Sequence, residues 1–225
     1  RIESEAIRQR TSPLHTAVVI GGGTGGSLTE LRNLCCKHIV LTEAHPKQIN
    51  KISKKIRSSA NEQVLPLAIS ADTKGEATLH VYNNMAFNSL HTPAPIDKKL
   101  KNIQKIEEIE VPTKSLSALI SGLNLEDSNN LLIINSPGYS ANLIASAEIE
   151  ILQKFNWLIV VELNSASSRV LPGFSDHLSQ LGFEYIKMED VPSYPFIEHV
   201  YHYDGVKQVE LSIKNNIRSL PTSGE

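Results

Sequence analysis

The chain has 225 residues, 40% of them hydrophobic and 20% charged. That is enough apolar material for a packed core, and it excludes wholesale disorder. With 22 Lys and Arg against 24 Asp and Glu, the net charge is −2; no global attraction to nucleic acid or anionic membrane operates, and no apolar run reaches the roughly 20 residues of a spanning helix.

The opening Arg1-Ile2-Glu3-Ser4-Glu5 is too charged for a secretory signal and carries no initiating Met, which points to a processed segment of a longer polypeptide. Residues 1–15 read as a helical lead-in or linker closed by Pro13. Thr16-Ala17-Val18-Val19-Ile20 is a short apolar run of the kind buried on both faces of a parallel sheet. Six residues rich in glycine, Gly21 to Gly26, follow at once. Ser27 to Cys36 then has helical spacing through Leu28, Leu31 and Leu34. Cys35 and Cys36 are adjacent and are the only cysteines. They would close a disulfide only with strain, so reduced, partly buried thiols and a cytoplasmic location are expected.

His38 to Glu43 is a second strand ending in an acid, and Pro46 opens a helix striped with Ile49, Ile52 and Ile56. Lys47, Lys51, Lys54 and Lys55 form its solvated face. Gln63–Ile69 and Ala77–Tyr82 read as strands, Asn83–Asp97 as a loop. Lys98–Glu110 fits a helix or a surface strand, stopped by Pro112. Leu116–Leu123 is a helix ending near Gly122, Leu131–Ile134 a buried strand, Tyr139–Phe155 a helix, Trp157–Leu163 a strand and Phe174–Leu181 a helix capped by Gly182. Phe183–Lys187 is a strand; Ile197–Tyr203 and Val206–Ile213 flank Asp204-Gly205, a hairpin signal. The pattern predicts an α/β fold over 16–214: a doubly wound, mostly parallel sheet with helices on both faces and a C-terminal antiparallel hairpin. Residues 215–225 read as a flexible tail.

The glycine turn carries the chemistry. A turn between buried strand and helix needs positive φ at some positions and a backbone that a ligand can approach without Cβ interference. The helix N-terminus adds free N–H groups. Gly21-x-Gly23-x-Gly25 meets this need, and Gly21-x-Gly23-x-x-Gly26 equally matches the dinucleotide fingerprint. Glu43 closes the second strand about 20 residues after the glycines, where an acid can accept ribose hydroxyls. NAD and S-adenosylmethionine (SAM) both offer such a ribose, and spacing alone does not choose between them. No metal set appears: His199 and His202 are three apart in an expected strand and face opposite ways. Neither a Gly-x-Ser-x-Gly elbow nor a Gly-Lys-Ser/Thr phosphate loop occurs.

Val18-Val19-Ile20-Gly21-Gly22-Gly23-Thr24-Gly25, followed by Leu41-Thr42-Glu43-Ala44-His45-Pro46, resembles the start of FkbM-type SAM-dependent methyltransferases. The likeness continues through Leu67–Ser70, Gly75–Val81, Asn88-Ser89-Leu90, Val111–Leu116, Leu132–Gly138 and Val160–Leu163, and so spans most of 16–204. It implies a class I methyltransferase fold, SAM as cofactor, and Gly21, Gly23, Gly25, Glu43 and Asn135 as cofactor-binding residues. The departures are specific. Val19 stands where the family has an Asp, and Leu116-Ser117 replaces its Leu-Asp step. Its Asp-x-Glu-Gly-x-Glu motif reads Asn135-Ser136-Pro137-Gly138-Tyr139-Ser140 here. Asn135 and Ser140 hydrogen-bond but are not bases near neutral pH, and Pro137 offers neither polar side chain nor N–H.

Three functions are expected on this basis. The first is a SAM-methyltransferase-fold domain with an eroded catalytic motif, serving as a binding or assembly module alongside a protein partner or further domains of the same chain. The second is an active O-methyltransferase working by alignment alone on a sugar, glycan or small-molecule hydroxyl, with His91, Glu162 and His45 as the acid–base candidates. The third is an NAD-binding oxidoreductase. Neither a nucleic-acid partner nor a membrane span is expected.

Overall fold

In the computed structural model the described residues are 7, 13–57, 61–72, 74–91, 102–126, 129–163, 174–190 and 196–205. In chain order they form β1 (Thr16–Ile20), α1 (Leu28–Asn33), β2 (His38–Thr42), α2 (Pro46–Ser53), β3 (Glu62–Leu65), β4 (Ala68–Ile69) and β5 (Glu76–Tyr82). A 3₁₀ turn (Met85–Phe87) follows, then β6 (Lys105–Lys114), α3 (Leu116–Ser121), β7 (Leu131–Asn135), α4 (Ser140–Ala145), α5 (Ile149–Leu152), β8 (Trp157–Leu163), α6 (Phe174–Gln180), β9 (Phe183–Asp190) and β10 (Phe196–Tyr203).

Seven strands make one sheet in the order β3-β2-β1-β7-β8-β10-β9. The first five run parallel, and β10 is antiparallel to both β8 and β9. This is the doubly wound α/β sheet with a C-terminal antiparallel hairpin that the sequence predicts. Strand alternation sorts its side chains into two cores. Val18, Ile20, Leu132, Ile134, Leu158 and Val160 pack with Leu119, Ile120, Leu143, Ile144, Ile151 and Leu178 of α3 to α6. Ala17, Val19, Ile133, Ile159 and Val200 pack with Leu28, Leu31 and Ile52 of α1 and α2 on the other face. Each buried Leu or Ile there stabilises by about 1.5–3 kcal/mol. Ile7 and Leu14, from the expected lead-in, are each 1% exposed and belong to this second core.

A second sheet, β4-β6-β5, is inserted between β3 and β7. It corrects two expectations. Gln63–Ile69 is not one strand: Pro66 separates β3, which pairs with β2, from β4, which pairs with β6. Lys98–Glu110, left open between helix and strand, contributes β6, and β6 runs through Pro112 to Lys114 instead of stopping there. The N–H of Thr113 donates to Gly75 O on the β5 side at 2.8 Å, so the ring nitrogen of Pro112 faces the other way. On that side pairing with β4 begins only at Thr113, and no ladder bond is lost.

The expected helix Tyr139–Phe155 is two short ones. Ser146 Oγ donates back to Leu143 O at 2.9 Å, a local bond that competes with helix continuation, and Glu148 is extended (ψ 143°) before α5. Gly182 has φ +92°, the left-handed stop expected of it. The C-terminal hairpin is β9–β10. The second arm expected after Asp204-Gly205, Val206–Ile213, lies outside the described residues, as do the tail 215–225 and residues 92–97 of the expected loop. No helix among the described residues is long and apolar enough to cross a membrane.

Candidate functional site

The glycine turn joins β1 to α1 at the C-terminal end of the parallel strands, where ligands of open α/β sheets bind. Gly21, Gly23 and Gly25 have φ of +76°, +58° and +72°. Gly21 is fixed by close approach: a Cβ there would lie 2.2 Å from the carbonyl oxygen of Asn135 on β7. Asn135 Nδ2 donates to Gly21 O at 3.0 Å, closing the same junction from the side chain. Gly22 N–H donates to Thr42 O at 2.8 Å, tying the turn to β2. Gly25 is buried beneath the turn against Leu28 and Ile52, whereas a Cβ at Gly23 or Gly26 would meet open space.

Glu43 sits one residue beyond β2. Its Oε2 accepts the Gly23 N–H at 2.8 Å and its Oε1 accepts the His45 N–H at 2.8 Å. One carboxylate therefore holds the glycine turn and the start of α2 together. Burial pushes its pKa above the usual carboxylate range, and the N–H groups of His45, Gly23 and Ala44 pull the other way. Lys55, expected on a solvated face, reaches the turn: its Nζ donates to Thr24 O at 2.7 Å.

Above these groups lies a cavity of about 790 Å³, within the range of small-molecule sites. Gly21, Gly23, Glu43 and Asn135 line it, and Gly25 does not. The inserted sheet and its 3₁₀ turn form the opposite wall through Asn83, Asn84, Met85, Asn88 and Ser89. Two buried polar atoms of lining residues have no hydrogen-bond partner among the described residues: Ser27 Oγ and Asn88 Nδ2. Asn88 is oriented through its amide oxygen Oδ1, which accepts the Tyr82 N–H at 3.0 Å. Buried orphan groups are rare and costly; both of these belong to residues that line the cavity. Glu43 and Glu198 are the only charged residues in the described lining, which includes no Lys, Arg or His.

The three acid–base candidates do not line this cavity. His45 is the N-cap of α2, with Nδ1 accepting the Lys47 N–H at 3.2 Å, and burial lowers its pKa. His91 lies against the ring of Tyr139, centroids 4.1 Å apart. Glu162 is next to Val161 on β8, so the two point to opposite faces of the sheet. Val161 lines the cavity, whereas Glu162 Oε2 accepts the Gly138 N–H at 3.1 Å on the other side. Burial raises the Glu162 pKa, opposed by Gly138 and Ser140. Of the β7–α4 segment, Asn135, Ser136 and Pro137 reach the cavity, and none can take up a proton near neutral pH.

Sequence reasoning passed over Glu198, Ser27 and the polar wall after β5. The Asn-rich run Asn83-Asn84 to Asn88-Ser89 was a usable signal. So was the alternation of β10, which sets Glu198 on the same face as Phe196, and both line the cavity.

No protein-family model matches the sequence. No curated protein matches it either. Solved structures match its fold. An rRNA methylase from Streptococcus thermophilus is 10% identical over 89% of this chain and 93% of its own, with a TM-score of 0.51. The fibrillarin pre-rRNA processing protein of Methanococcus jannaschii is 8% identical over 87% and 70%, TM-score 0.50. A METTL16 methyltransferase domain is 13% identical over 89% and 64%, TM-score 0.51. Together with the strand order, these likenesses show that the chain has the fold of class I, SAM-dependent methyltransferases.

Proposed function

We propose that this chain is a SAM-binding domain similar to FkbM-type methyltransferases, acting mainly as a binding or assembly module for a protein partner or further domains of its own polypeptide. The observation that carries this reading is the cavity itself: a glycine turn latched to Glu43, and none of His45, His91 and Glu162 in its described lining. Bound SAM supplies an activated methyl group on a sulfonium.

A carboxylate has about four lone-pair sites; Glu43 accepts the Gly23 and His45 N–H groups at 2.8 Å and is also acted on by the Ala44 N–H, and what acceptor capacity remains suits a ribose hydroxyl. The open side of Gly23 lets a ligand lie against the turn. The negative lining favours a sulfonium over the pyrophosphate of NAD. The dinucleotide fingerprint also needs its last glycine for close helix packing, and a Cβ at Gly26 would touch nothing.

Calorimetry tests the proposal. SAM and S-adenosylhomocysteine are expected to bind and NADH to give no heat, with Glu43→Ala costing tenfold or more in affinity, about 1.4 kcal/mol. Absence of binding by both SAM and S-adenosylhomocysteine overturns the cofactor assignment. Robust transfer of labelled methyl to any acceptor overturns the module reading. It would favour the second reading, an O-methyltransferase of a sugar or small-molecule hydroxyl, for which Glu198 is the one further acid in the described lining.

A further inference from the structure

The tip of the glycine turn is gripped by a side chain that stands outside the described lining of the cavity. Thr24 lines the cavity, and its carbonyl oxygen accepts the Lys55 ammonium at 2.7 Å. Lys55 follows α2, and its stem lies against the turn: a Cβ at Gly25 would come 3.6 Å from Lys55 Cδ. The backbone of Lys55 is anchored too. Its carbonyl oxygen accepts an N–H of Arg32 Nη2 at 2.8 Å, and Arg32 grips both carboxylate oxygens of Glu62 at 2.7 Å. The Arg57 N–H donates to the same carboxylate at 3.0 Å. The end of α1, the residues after α2 and the start of β3 thus form one base, from which a single side chain reaches the turn.

Five of the six residues from 21 to 26 are glycine. Such a run has many backbone shapes open to it, and a ligand that needs one of them binds more weakly in proportion as the others are populated. Lys55 acts on the peptide unit that decides the shape. The Thr24–Gly25 peptide is planar; its oxygen is held by Lys55, and its N–H closes the turn on Gly22 O at 2.9 Å. An ammonium on the oxygen also polarises that N–H and strengthens its bond. We propose that Lys55 is a positioning residue of the nucleoside site: it holds the Thr24–Gly25 peptide and so presets the glycine turn in the shape that the ligand meets. This rests on the nucleoside reading for the identity of the ligand; the hold on the turn is measurable without one.

The test combines calorimetry with S-adenosylhomocysteine and amide hydrogen exchange followed by NMR, both on the full chain. Lys55→Met is expected to weaken S-adenosylhomocysteine about fivefold and to speed exchange of the Gly25 N–H by a similar factor, the scale of an exposed charged contact. The Gly22 N–H, bound to Thr42 O on β2, is expected to keep its native rate. Lys55→Arg, which returns a charged donor to the same place, is expected to restore both affinity and exchange. Lys54→Met removes the same charge from the adjacent exposed position and is expected to change neither. Native affinity in Lys55→Met overturns the positioning role. So does native Gly25 exchange in that variant, or an equal loss of affinity in Lys54→Met. A native chain that takes up neither SAM nor S-adenosylhomocysteine overturns the nucleoside reading instead, and faster Gly25 exchange in Lys55→Met then still supports the hold on the turn.

Discussion

Two turns at the same end of the sheet, after β1 and after β7, are built alike and used differently. Each pairs a left-handed glycine with a buried acid from the neighbouring strand: Gly23 with Glu43, and Gly138 with Glu162. Glu43, just past the end of β2, keeps its carboxylate at the cavity. Glu162 falls on the alternate face of β8 and turns its back on it. A family likeness read along the chain sees an acid near a strand end in both places. The pleat decides which one a ligand can meet.

The comparison breaks most sharply at Gly21 against Gly138. Gly21→Ala drives a Cβ into the Asn135 carbonyl on top of a left-handed backbone; a loss of about 3 kcal/mol or more in denaturant unfolding is expected. Gly138→Ala carries only the backbone strain, with no atom within 4 Å of the new Cβ, and should cost about 1–2 kcal/mol.

Next in size is Glu43→Gln. Gln retains one acceptor oxygen for the two N–H groups now bound at 2.8 Å, so about 1–3 kcal/mol of stability is lost together with nucleoside affinity. Glu162→Gln, at a carboxylate that accepts the Gly138 N–H and does not line the cavity, should leave nucleoside affinity within twofold by calorimetry. A matching loss of affinity in both would erase the distinction between the turns.

The pH dependence is shared by the two acids. Burial raises both pKa values in the folded chain. The unfolded chain therefore releases these protons more readily, and their contribution to stability is complete below the ordinary carboxylate range and lost as pH rises through the raised values. Unfolding free energies measured from acidic to neutral buffer should decline over that window, and Glu162→Gln should remove part of the decline. A decline unchanged in that variant would show that Glu162 keeps an ordinary pKa. The smallest effect is expected at His45→Ala, which removes the α2 cap and should cost about 1 kcal/mol.

Much of this was legible beforehand. Runs such as Thr16–Ile20 and Leu131–Ile134 are apolar throughout because both faces of a parallel strand are covered, and glycines at positive φ announce the turn. Glu43 was found by its distance from them. The inserted sheet was not, because its strands depend on partners: Pro66 separates two strands that join different sheets, and Pro112 is harmless only because β4 starts one residue later. Glu198 was hidden for a related reason. A single acid in a strand looks like a solvated position until the neighbouring sheet covers it.

If the cavity takes the nucleoside proposed above, the double grip of Glu43 makes the start of α2 responsive to it. A ribose hydroxyl donating to that carboxylate would draw electron density from the bonds it makes to Gly23 and His45. The His45 amide proton then becomes a gauge of occupancy set away from the ligand, its exchange with solvent changing whenever the nucleoside arrives or leaves.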